Sequence, residues 1–170
     1  MNLERRAAVE FRTKGRRLEG YAAVFGREAR IGDFTETVQP GAFKDSLAGD
    51  VLALVDHDTS RLLARTKSGT LRLAEDSRGL HFDLAVPETG LGRDVLTLAE
   101  RGDLGGASFA FTVPRGGERW AGRSRELVRV NLQEISVVSA WPAYEGTSVA
   151  ARARLPLRLA LARRYMETCR

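Results

Sequence analysis

Short runs of apolar residues, separated by glycine- and proline-containing turns, are the feature that most limits how this chain can fold. The near-continuous apolar run VLALV, at residues 51–55, is typical of a strand that is buried on both faces. The segments TLRLA (70–74) and GLHFDLAVP (79–87) flank the turn sequence EDSRG, a pattern that predicts a β-hairpin. Further strands are predicted at residues 18–25, 107–113 and 126–139, the last two being joined by an Arg- and Gly-rich hairpin loop.

One α-helix is predicted with its own start and stop signals, in the segment TGLGRDVLTLAERGD. Thr89 can cap its first turn and Gly102 can end it, while Val95, Leu98 and Ala99 form one apolar stripe. Two further helices are predicted, a short one at residues 40–49 and a terminal one at 153–166. Roughly seven strands and three helices predict an α+β, mainly β fold, in which a closed or strongly curved β-barrel carries peripheral helices.

The net charge of +5 lies at one end of the chain. Residues 151–170 hold six Arg and one Glu, whereas the other 150 residues hold 21 basic and 21 acidic groups. We therefore predict a basic N-terminal segment at 1–17, one domain at 18–150 and an Arg-rich helix or tail at 151–170. Because the body is neutral, no specific nucleic-acid partner is expected for it.

The composition also excludes several classes of protein. No apolar run approaches the length of a membrane span, and the opening MNLERRAAVE lacks a signal-peptide core, so no membrane partner is expected. The one cysteine, Cys169, cannot form an internal disulfide and suits a reducing compartment. Two histidines and a terminal cysteine are a poor ligand set for zinc, so neither a metal site nor a cofactor is expected.

Ser108 lies in a predicted strand with small side chains around its hydroxyl. The period-2 alternation of a strand places Ser108 and Ala110 on one face and Phe109 on the other. Gly105 and Gly106 allow close approach of the main chain, as a pocket for a developing oxyanion requires. Ser108 is therefore a candidate nucleophile, and an ordinary hydrogen-bonded strand serine is the alternative interpretation.

His57 lies at the end of the buried strand predicted at 51–55, between Asp56 and Asp58. Imidazole is the side chain most often used as a general base near neutral pH, which makes His57 a candidate base. A structural histidine at a strand end is the alternative. The other histidine, His81, falls on the polar face of its predicted strand and is interpreted as a surface residue.

Glu134 is an acidic residue on a row that is predicted to face the core. With period 2 it shares a face with Val130 and Leu132, where an ionised carboxylate is costly unless it is paired. Its partner is either one of the many arginines or a histidine, and the pattern leaves both open. Together Ser108, His57 and Glu134 would supply the nucleophile, base and carboxylate of a serine hydrolase.

Several longer motifs of the sequence resemble those of one family, the HK97-type phage prohead proteases. The motifs are GYAAVF, ETVQPGAF, LVDHD, ARTKSGTLRLAEDSRGL, RGDLGGASFAF and NLQEISVVSAWPAYEGT, and they occur in the order that the family shows. The resemblance covers residues 18–150. It implies the fold of the herpesvirus assemblins, a β-barrel with surrounding helices.

The resemblance also implies roles for individual residues. The histidine of the family's H-D motif corresponds to His57, and the serine of its S-F-x-F motif corresponds to Ser108. Assemblins use a second histidine as the third member of the triad, whereas this chain offers Glu134 at that place. They also use an arginine pair for the oxyanion water, and WPAYEGT contains no arginine, so no oxyanion residue is predicted.

What the resemblance implies is a serine endopeptidase of capsid maturation, acting without a cofactor inside the procapsid, in the bacterial host cytoplasm. Its expected partners are the major capsid protein with its scaffold segment, and the protease itself, through self-cleavage and as a homo-oligomer. Two alternatives come from other classes of protein. One is a catalytically inactive structural or scaffold protein with the same barrel, and the other is nucleic-acid binding through residues 151–170.

Overall fold

The computed structural model describes residues 2–8 and 10–139, which form thirteen β-strands and one α-helix. The strands, numbered in chain order, pair in three sheets. In spatial order, the first sheet contains β1 (Glu4–Ala8), β10 (Gly106–Thr112), β13 (Asn131–Val138), β6 (Leu52–Val55) and β7 (Asp58–Arg65).

The other two sheets have four strands each. The second contains β2 (Glu10–Lys14), β3 (Arg17–Val24), β9 (Gly79–Ala85) and β8 (Leu71–Glu75). The third contains β11 (Glu118–Ala121), β12 (Ser124–Leu127), β5 (Phe34–Val38) and β4 (Ala29–Ile31). The described residues are thus mainly β, as the sequence predicts, while closure of the sheets into a barrel stays a prediction.

One hydrophobic core receives side chains from all three sheets. Leu18 and Phe82 come from the second sheet, Phe111 from the first and Leu127 from the third, and all four are fully buried. Burying such a side chain contributes about 1.5–3 kcal/mol. The core therefore connects the three sheets into one body.

The predicted helix and hairpin are confirmed. Helix α1 spans Gly90–Arg101, and the Thr89 hydroxyl accepts a hydrogen bond from the Gly92 N–H at 3.2 Å. Gly102 follows with φ 75°, the left-handed conformation that commonly ends a helix and that glycine adopts without strain. Strands β8 and β9 pair antiparallel, as the turn sequence between them predicts.

The predicted helix at 40–49 is wrong apart from one 3₁₀ turn at Lys44–Ser46. Gly41 has a φ of 88°, outside the helical range, and the Phe43 N–H donates to the carboxylate of Glu75 at 2.8 Å. These two features hold the segment in successive turns. The predicted terminal helix at 153–166 lies outside the described residues.

The predicted strand at 126–139 is divided between two sheets. The main-chain N–H groups of Val128 and Arg129 both donate to the Gly117 carbonyl, at 2.9 and 3.0 Å. These bonds end β12 in the third sheet before the chain continues as β13 in the first. The loop that precedes this segment is also more ordered than predicted, because β11 and β12 form a hairpin there.

Residues 1–17, which the sequence predicts as a segment in front of the domain, contribute β1 and β2 to two sheets. A buried charge network holds β1 in place. Arg6 Nη2 and Arg125 Nη1 both donate to Glu36 Oε2 at 2.8 Å, and the Glu36 side chain is only 1% exposed.

Arg125 Nη2 also donates to Glu4 Oε1 at 2.8 Å. Burial by itself raises the pKa of Glu4, but the hydrogen bond and the charge of Arg125 outweigh it and hold that pKa below its usual range. These paired charges fix β1 along the edge of β10, the strand that carries Ser108.

Candidate active site

The candidate nucleophile and carboxylate lie on neighbouring strands of the first sheet. In the antiparallel pairing of β10 with β13, Ser108 is opposite Ser136 and Ala110 is opposite Glu134. Directly opposed residues share a face of the sheet, and so do residues two apart on one strand. Ser108 and Glu134 therefore lie on the same face, as diagonal neighbours at a typical separation of about 7–8 Å.

His57 reaches this face from a tight turn between β6 and β7. Asp56 and His57 form the two-residue turn and have φ angles of 52° and 61°. Two positive φ angles match the twist of a β-hairpin, but they are uncommon for residues other than glycine. Strained backbone of this kind is concentrated at functional sites.

The Asp56 carboxylate fixes the turn against the end of β13. It accepts hydrogen bonds from the Ser139 N–H at 2.7 Å and from Arg61 Nη1 at 3.0 Å. The Asp56 N–H in turn donates to the Val137 carbonyl at 2.9 Å. Asp56 thus places its neighbour His57 beside β13.

The Glu134 carboxylate contacts both the ring of His57 and the hydroxyl of Ser136. Glu134 Oε1 contacts His57 Nδ1, and Glu134 Oε2 accepts a hydrogen bond from Ser136 Oγ at 2.6 Å. Side-chain exposure is 9% for Glu134 and 17% for His57, so the contact is largely shielded from water. Of the two kinds of partner that the sequence pattern leaves open, the structure places the histidine here.

This contact suits a catalytic imidazole. An ionised carboxylate only accepts hydrogen bonds, so beside an ionised Glu134 the ring of His57 would carry its proton on Nδ1. The lone pair of a neutral ring is then on Nε2, where it can accept a proton from a nucleophile.

Ser108 is buried, with 3% of its surface exposed, and its hydroxyl donates to the Arg6 carbonyl of β1 at 2.6 Å. None of the hydrogen bonds among residues 2–8 and 10–139 joins Ser108 to His57. The Ser108 hydroxyl therefore pairs with the Arg6 carbonyl and not with His57 in this structure. Hydrogen bonds between a nucleophile and its base are often loose in an enzyme without substrate and tighten when substrate binds.

The remaining candidates lie elsewhere or have other partners. His81 is on β9 in the second sheet and packs edge-on against Tyr21, with ring centroids 5.3 Å apart. The N–H of Gly105 donates to the Val138 carbonyl at 2.8 Å and so serves the pairing of β10 with β13. Gly106 has a φ of 141°, a conformation that favours glycine at the start of β10.

Ser136 belongs to this site and was not singled out from the sequence. It lies two residues after Glu134 on a predicted strand, so the same period-2 argument that places Glu134 on the inner face applies to it. That spacing is the signal that could have found it.

Two kinds of feature do not occur in the part of the chain that the structure describes. It holds no group of three or more His, Cys, Asp or Glu side chains arranged to bind a metal ion. It also holds no helix that is long and apolar enough to cross a membrane.

A serine, a histidine and a glutamate gathered in one β-rich domain are the residue set of a serine hydrolase. Comparison with protein families makes the class specific: residues 2–156 of this 170-residue chain match the profile of the caudovirus prohead serine proteases. The chain belongs to that family, and it is a serine peptidase of phage capsid maturation. Comparisons with curated proteins and with solved structures returned no match.

Replacing Glu134 by glutamine tests the role of the carboxylate. The change keeps the shape but removes the charge that would stabilise the His57 imidazolium, so we expect kcat to fall by about 10²- to 10⁴-fold. The protein should stay folded. The measurements are steady-state cleavage rates and the melting temperature.

Glu75→Gln is the matched control, because the Glu75 carboxylate also accepts a hydrogen bond, a partly buried one from the Phe43 N–H, but it lies in the second sheet. It should leave kcat unchanged. Full activity of Glu134→Gln with a lowered melting temperature would show that Glu134 is only a structural partner of His57.

Proposed function

We propose that this protein cuts the scaffold segment of the major capsid protein inside the procapsid, by acyl transfer through Ser108, His57 and Glu134. The observation that carries the proposal is the contact between the Glu134 carboxylate and His57 Nδ1, on the sheet face that also holds Ser108. Membership of the prohead protease family supports the substrate class.

In the first half of the reaction His57 acts as the base. The Ser108 hydroxyl leaves the Arg6 carbonyl and gives its proton to Nε2 of His57 as the oxygen attacks the scissile carbonyl carbon. The imidazolium that forms is stabilised by Glu134. It then gives its proton to the leaving amine as the peptide C–N bond breaks, which leaves an acyl ester on Ser108.

In the second half water takes the place of the nucleophile. His57 accepts a proton from the water as its oxygen attacks the ester carbonyl, and the same proton returns to Ser108 as the ester C–O bond breaks. Apart from the substrate and the water, every group that exchanges a proton in this scheme belongs to the chain, so no cofactor enters it.

The proposal also covers where the protease works and whether it cleaves itself. The protease would work inside the procapsid, in the bacterial host, as a homo-oligomer or beside the capsid protein that encloses it. It would also remove its own Arg-rich tail at residues 151–170, where all the net charge lies. Terminal segments of this kind are preferred sites of proteolysis.

The test is to incubate the purified protein with its cognate capsid precursor and to analyse both by mass spectrometry. The proposal predicts that the precursor loses its scaffold segment, and that the protease loses mass from its C-terminus. A precursor that stays intact, while shells still assemble around the protein, would instead identify it as a structural component of the procapsid.

A further inference from the structure

Ser136 makes two hydrogen bonds that tie the candidate base to the candidate carboxylate. Its hydroxyl donates to Glu134 Oε2 at 2.6 Å and accepts from the main-chain N–H of His57 at 3.1 Å. Ser136 is 1% exposed, so water does not compete for these bonds. A hydroxyl has one proton to donate and lone pairs to accept with, and here both capacities are used.

These two bonds act on different parts of the site. The bond to Oε2 holds the carboxylate so that its other oxygen, Oε1, faces His57 Nδ1. The bond from the His57 N–H holds the main chain of the strained turn, where His57 has a φ of 61°. Ser136 therefore fixes the imidazole and the carboxylate relative to each other, from a position directly opposite Ser108 on the neighbouring strand.

The same geometry argues against Ser136 as a rival nucleophile. Its proton is directed to a carboxylate oxygen, and the His57 nitrogen that it contacts is the main-chain nitrogen, which has no lone pair available for a proton.

We propose that Ser136 is a positioning residue, whose hydroxyl orients the Glu134–His57 pair for proton transfer from Ser108. The inference rests on the proposed catalytic roles and deepens them. A small displacement of a catalytic group costs a large factor in rate, because the reacting atoms must be held in a near-attack arrangement.

The experiment compares Ser136→Ala with Ser46→Ala. Ser46 also bridges two groups of the β13 region, donating to the Val130 carbonyl at 2.7 Å and accepting from the Leu132 N–H at 2.9 Å. It contacts neither His57 nor Glu134, so it controls for the loss of stability that any such serine would cause. The assays are cleavage of the purified capsid precursor and labelling of the protein by a fluorophosphonate probe.

We expect Ser136→Ala to lower kcat by about 10- to 100-fold, the usual effect of losing one hydrogen bond to a charged group, with KM unchanged. Labelling by the fluorophosphonate should slow by a similar factor. Ser46→Ala should lower the melting temperature as much as Ser136→Ala does, but it should leave kcat and labelling at the wild-type values. Ser136→Thr, which keeps the hydroxyl, should recover activity.

A spectroscopic signature gives a readout apart from activity. A ring N–H that donates to a carboxylate has a proton resonance at unusually low field, and only two histidines can contribute one. The resonance should be present in wild type and in His81→Gln, absent in His57→Gln, and shifted or broadened in Ser136→Ala. If Ser136→Ala does not fold, Ser136→Cys, which has a slightly larger side chain and makes a weaker hydrogen bond, is measured in its place.

The inference is overturned if Ser136→Ala has the kcat, labelling rate and low-field resonance of Ser46→Ala. That outcome would make Ser136 a structural residue and would leave the proposed nucleophile untouched. The proposed function fails separately, if Ser108→Ala cleaves the precursor as fast as wild type does.

Discussion

Ser108→Ala is expected to abolish cleavage of the capsid precursor, lowering the rate by about 10⁴- to 10⁶-fold, as in other serine triads. The change removes the oxygen that would form the acyl ester. The fold should survive, because the hydrogen bond that is lost among the described residues, from Ser108 Oγ to the Arg6 carbonyl, contributes about 0.5–1.5 kcal/mol. Cleavage rate and melting temperature are the two measurements.

Ser46→Ala is again the matched control for this prediction. Like Ser108, Ser46 donates its hydroxyl to a main-chain carbonyl, in its case that of Val130 at 2.7 Å. Both variants should lose a similar, small amount of stability, and only the Ser108 variant should lose activity. Cleavage at the wild-type rate by Ser108→Ala would exclude Ser108 as the nucleophile.

Removal of the His57 imidazole should be as damaging as removal of the Ser108 hydroxyl. Asparagine is the informative replacement, because it tolerates the left-handed backbone at position 57, where φ is 61°, and cannot act as a base at neutral pH. We expect His57→Asn to lose activity by about 10⁴- to 10⁶-fold and to remain folded. Alanine at the same position should also be inactive but less stable, because it adds backbone strain of about 1 kcal/mol.

His81→Ala is the control for the base. His81 lies in the second sheet, where its ring packs edge-on against Tyr21, so activity should be nearly that of wild type. The measurement is precursor cleavage by the three histidine variants at equal protein concentration. If His81→Ala were the inactive variant, the assignment of His57 as the base would be wrong.

Elements with their own local signals were predictable from the sequence. Helix α1 carries a capping threonine, an apolar stripe and a terminal glycine, and it forms between Gly90 and Arg101. The hairpin of β8 and β9 and the strands β3, β6 and β10 likewise follow from apolar runs bounded by turn residues.

The extra strands were not predictable in this way. Strands such as β1 (ERRAA), β5 (FTETV) and β11 (ERWA) carry few apolar residues. They form because their main-chain groups pair with a neighbouring strand and their charges pair across sheets, as Arg6 and Glu36 do. Neither kind of partner is visible from the local pattern.

In the candidate site, too, some features could be predicted from the local sequence and others could not. The inward position of Glu134 follows from the alternation of its strand, and the residue is buried as expected. The partner of the carboxylate does not follow, because His57 is 77 positions away and is placed by the strained turn that joins β6 to β7. The hydrogen bond from the Ser108 hydroxyl to the Arg6 carbonyl could not be predicted either, because Arg6 lies on β1, a strand that the sequence pattern does not indicate.

The most direct test of the central claim is to map the covalent adduct of a fluorophosphonate probe by peptide mass spectrometry. The wild-type protein should carry one adduct, on the peptide that contains Ser108, and His57→Asn should carry none under the same conditions. An adduct on Ser136 or on another residue, or equal labelling of Ser108 in His57→Asn, would contradict a nucleophile at Ser108 that is activated by His57.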